Sequence, residues 1–399
     1  MTDYQATLLQ LLSKELFNKS VDLLGANLDD VLKEARMQAV EQCAFNAIDK
    51  NLLTQDELNK WKQASYNDIA QNIRVFHNHN LLHKWMSENE IPYVILKGVA
   101  SAYYYPNPVY RSMGDVDFLV NKEDIQKAGS VLENQNLKPW DEEHISHIVY
   151  RDTGKHYEMH FNLAGTPNGD AGDLVREYTS DIFENAETKK ILGNEVVLPS
   201  KFHHGLILLL HNCHHLTGEG IGLRHLCDWA VFENSLSDAE FRKLFELKLK
   251  KLGLWHFAQI LTRVSVKYLG AEEKSWAECD DRIVDDLIED ILVGGNFGKK
   301  DHNRSIQQML ISNRGKDGVG HISIIKQFII SSNELIFHYW PSARKNKILI
   351  PIGWLCFGGR RVFREMTGKR KKTNINKMVD GAAKRRELYK QFHLYERQI

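Results

Sequence analysis

Two carboxylates two residues apart, in the run Arg111-Ser112-Met113-Gly114-Asp115-Val116-Asp117-Phe118-Leu119-Val120, are the side chains of this sequence best placed to do chemistry. The stretch reads as a buried strand. Side chains alternate along a strand, so Asp115 and Asp117 face one way while Val116 and Phe118 face the core. Same-face acids two apart lie roughly 7 Å apart along the backbone, near enough for their carboxylates to converge. Such a pair suits hard divalent cations, which take oxygen ligands and sit about 3.5–4 Å apart in two-ion sites. A third acid, Glu158, shares one face of a neighbouring strand with His156 and His160, while Tyr157, Met159 and Phe161 share the other. His160 reads as a structural neighbour of the acids. Lys97-Gly98 closes another apolar run, and backbone N–H groups at a glycine turn that opens a helix bind anions. Lys97 and Arg111 supply positive charge for a triphosphate. Three carboxylates and this turn can hold two Mg²⁺, or Mn²⁺ in their place, together with the phosphates they neutralise. The chemistry expected is in-line attack of a hydroxyl on an α-phosphorus with pyrophosphate leaving. Glu158 would take the hydroxyl proton or bind the ion that activates it. Positioning and charge neutralisation would supply most of the rate.

These residues need a frame to hold them. Pro92-Tyr93-Val94-Ile95-Leu96 is a short apolar run stopped by Lys97-Gly98, hence a buried strand and a turn, with a short helix expected over 99–105. Over 122–134, Ile125, Ala128, Val131 and Leu132 recur at helical spacing. Segments 146–151 and 155–163 flank Asp152-Thr153-Gly154, the pattern of a hairpin. Residues 165–173, rich in Gly and Asp, read as a loop, and 195–198 as one more strand. Apolar stripes at helical spacing fill 4–90, and helices resume at 202–216, 223–234, 238–252, 255–269 and 280–293. A loop is expected over 313–320. The fold class expected is α+β: a small mixed β-sheet core, residues 91–199, between N-terminal helices (1–90) and a helical region (200–340) that ends in a basic helical tail (341–399).

The 399 residues carry no formal net charge, but the charge is unevenly spread. From Ser342 onward there are sixteen Lys or Arg against four Asp or Glu, a net of +12, so the first 341 residues carry −12. Such a tail, including Lys369-Arg370-Lys371-Lys372, implies an anionic membrane surface or an acidic partner, or else a solvated helical face. The residues around Ile348 and Arg364 mix Ile, Trp, Leu and Phe with Arg360, Arg361 and Arg364, a composition that suits a membrane interface as well as helix packing. Nucleic acid is disfavoured, because the body is acidic and no reading motif is present. Five cysteines without a CxxC pair point to a reducing compartment and away from a disulfide framework. The first residues show no secretory leader pattern. The expectation is a cytoplasmic protein that can sit at the inner face of the membrane. His211 and His215, four apart on a helix with His203, His204, His214, His225 and Asp228 nearby, fit zinc spacing only weakly and read mainly as packing or helix capping, with support of the acids or contact with substrate as the alternative. Tyr103, Tyr104 and Tyr105 are placed either to stack on a base or to pack a short helix.

The run "ILKG…YYYPNPVYRSMGDVDFLV", then "HYEMHFNL", then "LLLHNCHH…GLRHLCDWAVF", resembles the uncharacterised nucleotidyltransferases of the DNA polymerase β-type superfamily over roughly residues 35–300. The resemblance implies that Asp115 and Asp117 are metal ligands, that Glu158 fills the third-carboxylate position, and that Lys97 and Gly98 occupy a turn that is usually Gly-Ser. It departs from the wider pattern in that turn, in the seventeen-residue gap from Gly98 to Asp115, and in a Glu where Asp is common. The implied function is transfer of an NMP from an NTP to a hydroxyl of a small molecule, sugar or protein. The competing readings are a degenerate transferase fold acting as a binding or scaffold protein, for instance in envelope polysaccharide assembly, and a histidine-site metallohydrolase.

Overall fold

Short β-branched and aromatic runs, cut by glycine and proline, become strands here, and long leucine stripes become helices. The computed structural model describes residues 1–22, 25, 27–140, 146–301, 303–311, 323–367 and 375–398. The Lys369–Lys372 run, the loop expected over 313–320, and the side chains of Arg361 and Arg364 lie outside the described residues. In chain order come α1 (Asp3–Phe17), α2 (Leu28–Gln38), α3 (Glu41–Ala47), the long α4 (Gln55–Glu88), β1 (Tyr93–Ile95), α5 (Val99–Ala102), β2 (Val116–Val120), α6 (Ile125–Glu133), β3 (Lys138–Pro139), β4 (His147–Asp152), β5 (Lys155–His160), α7 (Asp170–Tyr178), β6 (Glu187–Ile191) and β7 (Asn194–Leu198). Helices then follow without further strands among the described residues: α8 (Lys201–Thr217), α9 (Leu223–Asn234), α10 (Asp238–Phe241), α11 (Leu247–Leu252), α12 (Trp255–Val264), α13 (Asp281–Gly294), α14 (Arg304–Ile311), α15 (Ile324–Tyr339), α16 (Leu349–Met366) and α17 (Ile375–Lys390).

The class is α+β, as expected. One mixed sheet has the order β1-β2-β5-β4-β3, and β6 and β7 form a separate hairpin. β2 runs parallel to β5, while β1 is antiparallel to β2 and β4 antiparallel to β5. Residue alternation sorts the two faces. Tyr93, Ile95, Val116, Phe118, Tyr157 and Met159 pack against Phe76, Leu82 and Met86 of α4 and Val131 and Leu132 of α6. Each fully buried aliphatic or aromatic side chain there contributes roughly 1.5–3 kcal/mol of transfer free energy. The other face carries Val94, Leu96 and Leu119, which meet Ile182 and Ile207, and it carries Asp117, Glu158 and His160 between them.

The remaining helices share one large core. Leu8, Leu11 and Leu12 of α1 are buried in the same cluster as Leu209 of α8, Trp229 of α9, Phe257 of α12 and Ile291 of α13. The segments 1–47 and 201–294 therefore contribute to one shared hydrophobic cluster. The basic C-terminal segment also differs from the expected tail at its far end. Tyr389 and Phe392 are fully buried, Phe392 packs on Phe257 at 5.8 Å, and Arg385 donates to the carbonyls of Leu216 and Gly218 at 2.9 Å. Its aromatic residues have more to gain from that core than its charges lose.

Candidate active site

The acid-bearing strand and its neighbours set the site. Asp117 and Glu158 are direct partners across the parallel β2–β5 pair, so their side chains rise from the same face on adjacent strands. Asp117 is buried and Glu158 is half-buried. Asp115 does not lie within the strand, as the sequence pattern had suggested. The strand begins at Val116, and Asp115 stands one residue ahead of it, half-buried.

The turn after β1 abuts these acids. The Leu96 amide donates to the Asp117 carbonyl at 3.0 Å, which carries the β1–β2 ladder to the edge of the site. Lys97 then reaches Asp117 with its ammonium 2.9 Å from the carboxylate. Gly98 takes φ +61°, a conformation that favours glycine, and a Cβ there would sit 3.7 Å from the Asp115 carbonyl oxygen. The helix that follows is shorter than expected, ending at Ala102. Asn72, wholly buried on α4, fixes the approach to Asp115: its amide donates to the Val109 carbonyl at 2.7 Å and its Oδ1 accepts from the Met113 amide at 2.9 Å. Gln71 adds a bond to the Gly114 carbonyl at 3.3 Å.

The electrostatics follow from this crowding. Burial alone favours the neutral form of Asp117, but the Lys97 ammonium and a hydrogen bond from His160 Nε2 at 3.0 Å outweigh it and hold the carboxyl well below its ordinary range. Asp115 has no close ion pair or hydrogen bond of this kind among the described residues, and Lys97 and His156 only partly offset its setting. Burial and the neighbouring Asp117 charge push it up to about 6. Burial also opposes the charge on Lys97, yet Asp117, Asp115 and Glu158 together raise it. His160, opposed by burial but raised by its bonds to Asp117 and Glu158, lies 3.6 Å from the glutamate. His147 and His156 each come within 3.9 Å of Glu158. His147, Glu158 and His160 offer ligand atoms all within 4.8 Å of one another, the one such triple among the described residues.

Asp115, Asp117 and Glu158 do not by themselves form such a triple among the described residues. Carboxylates crowded until one resists ionisation gain from a cation between them, and the oxygen donors of Asp115, Asp117 and Glu158 are of the kind Mg²⁺ and Mn²⁺ take. The imidazoles beside Glu158 are donors of the kind that suits Zn²⁺ and Fe²⁺.

Other expected residues are placed differently. Arg111 is buried in a bidentate pair with Asp228 of α9 at 3.0 and 2.6 Å, and Tyr105 donates to the same carboxylate at 2.8 Å. Its charge is thereby engaged, and it locks the loop before Asp115 onto α9. Tyr104 stacks on His204 at 5.1 Å and meets Phe232 edge-on, so it packs the helices. His203 bonds Asp181 and the Tyr178 carbonyl, and His204 lies buried between rings. His211, His215 and His225 cluster with ring centres 4.3 to 5.8 Å apart, but they form no triple of converging ligand atoms among the described residues. Arg224, to which the motif gave no role, reaches the Ser112 carbonyl at 3.3 Å from α9. Its spacing of four before Asp228 was the available signal.

No curated protein matches the chain. A solved structure, an antigenic nucleotidyltransferase-like protein from Paracoccidioides brasiliensis, is similar at 15% identity and a TM-score of 0.34, covering 51% of this chain and 95% of its own. Residues 25–270, well over half of the sequence and all of the site, match the uncharacterised nucleotidyltransferases, and the chain belongs to that family.

Proposed function

We propose that this protein transfers a nucleotidyl group from an NTP to a hydroxyl of a small molecule, sugar or protein, with Asp115, Asp117 and Glu158 as its metal-binding acids. The observation that carries the reading is the pairing of Asp117 with Glu158 across adjacent parallel strands, with Asp115 and Lys97 in the same field. Divalent ions held by these oxygens would neutralise the phosphates and stabilise the attacking and leaving oxygens. Around that, the chain's own groups have distinct tasks. The Lys97-Gly98 turn offers an ammonium and a backbone free of a Cβ to the phosphates. Asn72 and the Arg111–Asp228 pair hold Asp115 in register. Glu158, half-buried, accepts the acceptor's proton as its oxygen bonds to the α-phosphorus and the bond to pyrophosphate breaks. His160 keeps Asp117 ionised and oriented.

The test is pyrophosphate release with each NTP in Mg²⁺ or Mn²⁺, alongside calorimetric binding of a non-hydrolysable NTP. Metal-dependent binding that is lost in Asp117→Ala and Glu158→Gln supports the reading. Unchanged nucleotide affinity in both variants refutes it. A second reading, a degenerate fold that binds without turnover, draws support from the Lys97–Asp117 pair, which already satisfies the deepest acid. It predicts tight ligand binding with no pyrophosphate from any NTP.

A further inference from the structure

Beside the acids stands a wall of hydrogen-bond donors that the reaction above does not use. Ile207 of α8 packs on Val94, Leu96 and Leu119, the apolar part of the face that carries Asp117. One turn further along the same helix is His211, and a second turn gives His215. Gly165, after β5, lies so close that a Cβ would meet the Leu210 carbonyl oxygen at 2.6 Å, which pins α8 to the end of the sheet. Arg224 and His225 enter from α9, and the Phe297 ring lies between them and His215, at 5.3, 4.9 and 4.7 Å.

Two of these groups are donors without acceptors. His225 is buried, at 2% exposure, and its Nδ1 accepts the Gly222 amide at 3.2 Å. In the neutral ring the proton must therefore sit on Nε2, which is buried and has no partner. Arg224 Nε is likewise buried and unpartnered. Arg224 contacts no carboxylate among the described residues; Asp228, one turn on, is taken by Arg111. Arg111 and Arg224 both donate to the Ser112 carbonyl at 3.3 Å, so a guanidinium with no carboxylate contact among the described residues reaches the chain three residues before Asp115. A buried donor left unmade costs about 1–3 kcal/mol, which a folded chain keeps where a ligand supplies the acceptor. The ligand must offer several acceptor oxygens and negative charge, and a phosphoryl group does both.

We propose that Arg224 and His225, with His211 and His215 beside them, form a phosphate-binding wall of the active site, which takes a phosphoryl group of the nucleotide tail or of the acceptor. Ile207, one turn before His211, packs on Leu96 immediately ahead of Lys97, which places the wall next to the turn that borders the acids. The proposal rests on the nucleotidyl-transfer reading for its meaning but not for its test. Calorimetry with inorganic tripolyphosphate and with inorganic phosphate, in EDTA, uses no metal and no nucleoside. Tripolyphosphate should bind the wild-type protein, and Arg224→Gln should weaken it about 10- to 100-fold. If that variant does not fold by circular dichroism, Arg224→Lys, which keeps the charge but loses the planar fork, should still weaken binding by about 3- to 10-fold. Metal-free polyphosphate binding and metal-dependent pyrophosphate release are separate readouts, so failure of either idea is visible alone. A saturating non-hydrolysable NTP with Mg²⁺ then separates the sources: displaced phosphate assigns the wall to the nucleotide tail, and phosphate that still binds assigns it to the acceptor. No binding to the wild type, or equal affinity in the Arg224 variants, overturns the proposal.

Discussion

Replacing Asp115 with Asn should stabilise the protein while removing its response to metal. The Asp115 carboxyl is lifted from 3.8 to about 6 by burial and by the charge on Asp117. That lift corresponds to about 3 kcal/mol of preference for the neutral form, and water at a half-buried site reduces the usable part to about 1–2 kcal/mol. The sign is fixed by proton binding. Between pH 3.8 and about 6 the folded chain keeps a proton that the unfolded chain has released, so this group's contribution falls as pH rises through that window and stays lower above it. Two neighbours act in other windows. Asp117, held low, contributes stability that is lost only as pH falls below the ordinary carboxylate range. His160, held high, contributes most below its ordinary 6.5 and loses this as pH rises past its folded value. Taking the difference between Asp115→Asn and wild type at each pH removes both to first order. The assay is thermal melting at pH 4.5 and pH 8, with EDTA or with Mg²⁺. In EDTA at pH 8 the variant should melt about 1–4 °C higher, and at pH 4.5 the two should nearly coincide. Mg²⁺ at pH 8 should raise the wild type and leave the variant almost unmoved, because the ion relieves the same repulsion that the amide has already removed. A variant less stable than wild type in EDTA at both pH values, or one that responds equally to Mg²⁺, would refute the reasoning.

Arg111→Ala should cost about 3–5 kcal/mol in urea unfolding, because it strands the Asp228 carboxylate among buried groups with only Tyr105 to bond it; a loss below 1 kcal/mol would mean the pair is not buried as described. The α16 helix exposes Ile352, Leu355, Phe363 and Met366 at spacings that fall on one side, near Lys345, Lys347 and Arg360, while among the described residues no helix is long and apolar enough to cross a membrane. We expect the protein to co-sediment with phosphatidylserine-containing vesicles, with Leu355→Glu/Phe363→Glu releasing it and neutral vesicles binding neither form.

Most of the sheet core was legible because local rules decide it. Alternation in 155–160 and the apolar run at 116–120 put Glu158 and Asp117 on strand faces, and the parallel register then makes them direct partners. The helices at 201–217 and 223–234 fall within a residue or two of the stripes that announce them. What local rules do not carry was lost. α7 grows from a segment whose Gly and Asp read as loop, since Val175 finds its burial only against distant helices. β6 carries Glu187, Lys189 and Lys190 and gains strand form only by pairing with β7. Arg111 looked like a substrate ligand because its partner, Asp228, is 117 residues away. Asn72 sits in a helical stripe, where a polar residue gives no hint that it clamps a loop.

The acid cluster divides its charge unequally, and that division links metal to nucleotide. Asp117 is satisfied from two sides by Lys97 and His160, whereas Asp115 feels the charges of Lys97 and His156 without a close ion pair among the described residues. A cation entering alone gains Asp115 and Glu158 but competes with an ammonium 2.9 Å from Asp117, in a setting where burial strengthens that contact. If Lys97 swings away with nowhere to go, its own desolvation opposes binding, since burial already works against its charge. A triphosphate changes the balance, because it offers Lys97 a new anion at the Gly98 turn and brings negative charge for the ion to bridge. On the nucleotidyl-transfer reading, ion and nucleotide therefore each lower the cost of loading the other, and Lys97, which stands in for metal when neither is bound, becomes the residue through which the two are coupled.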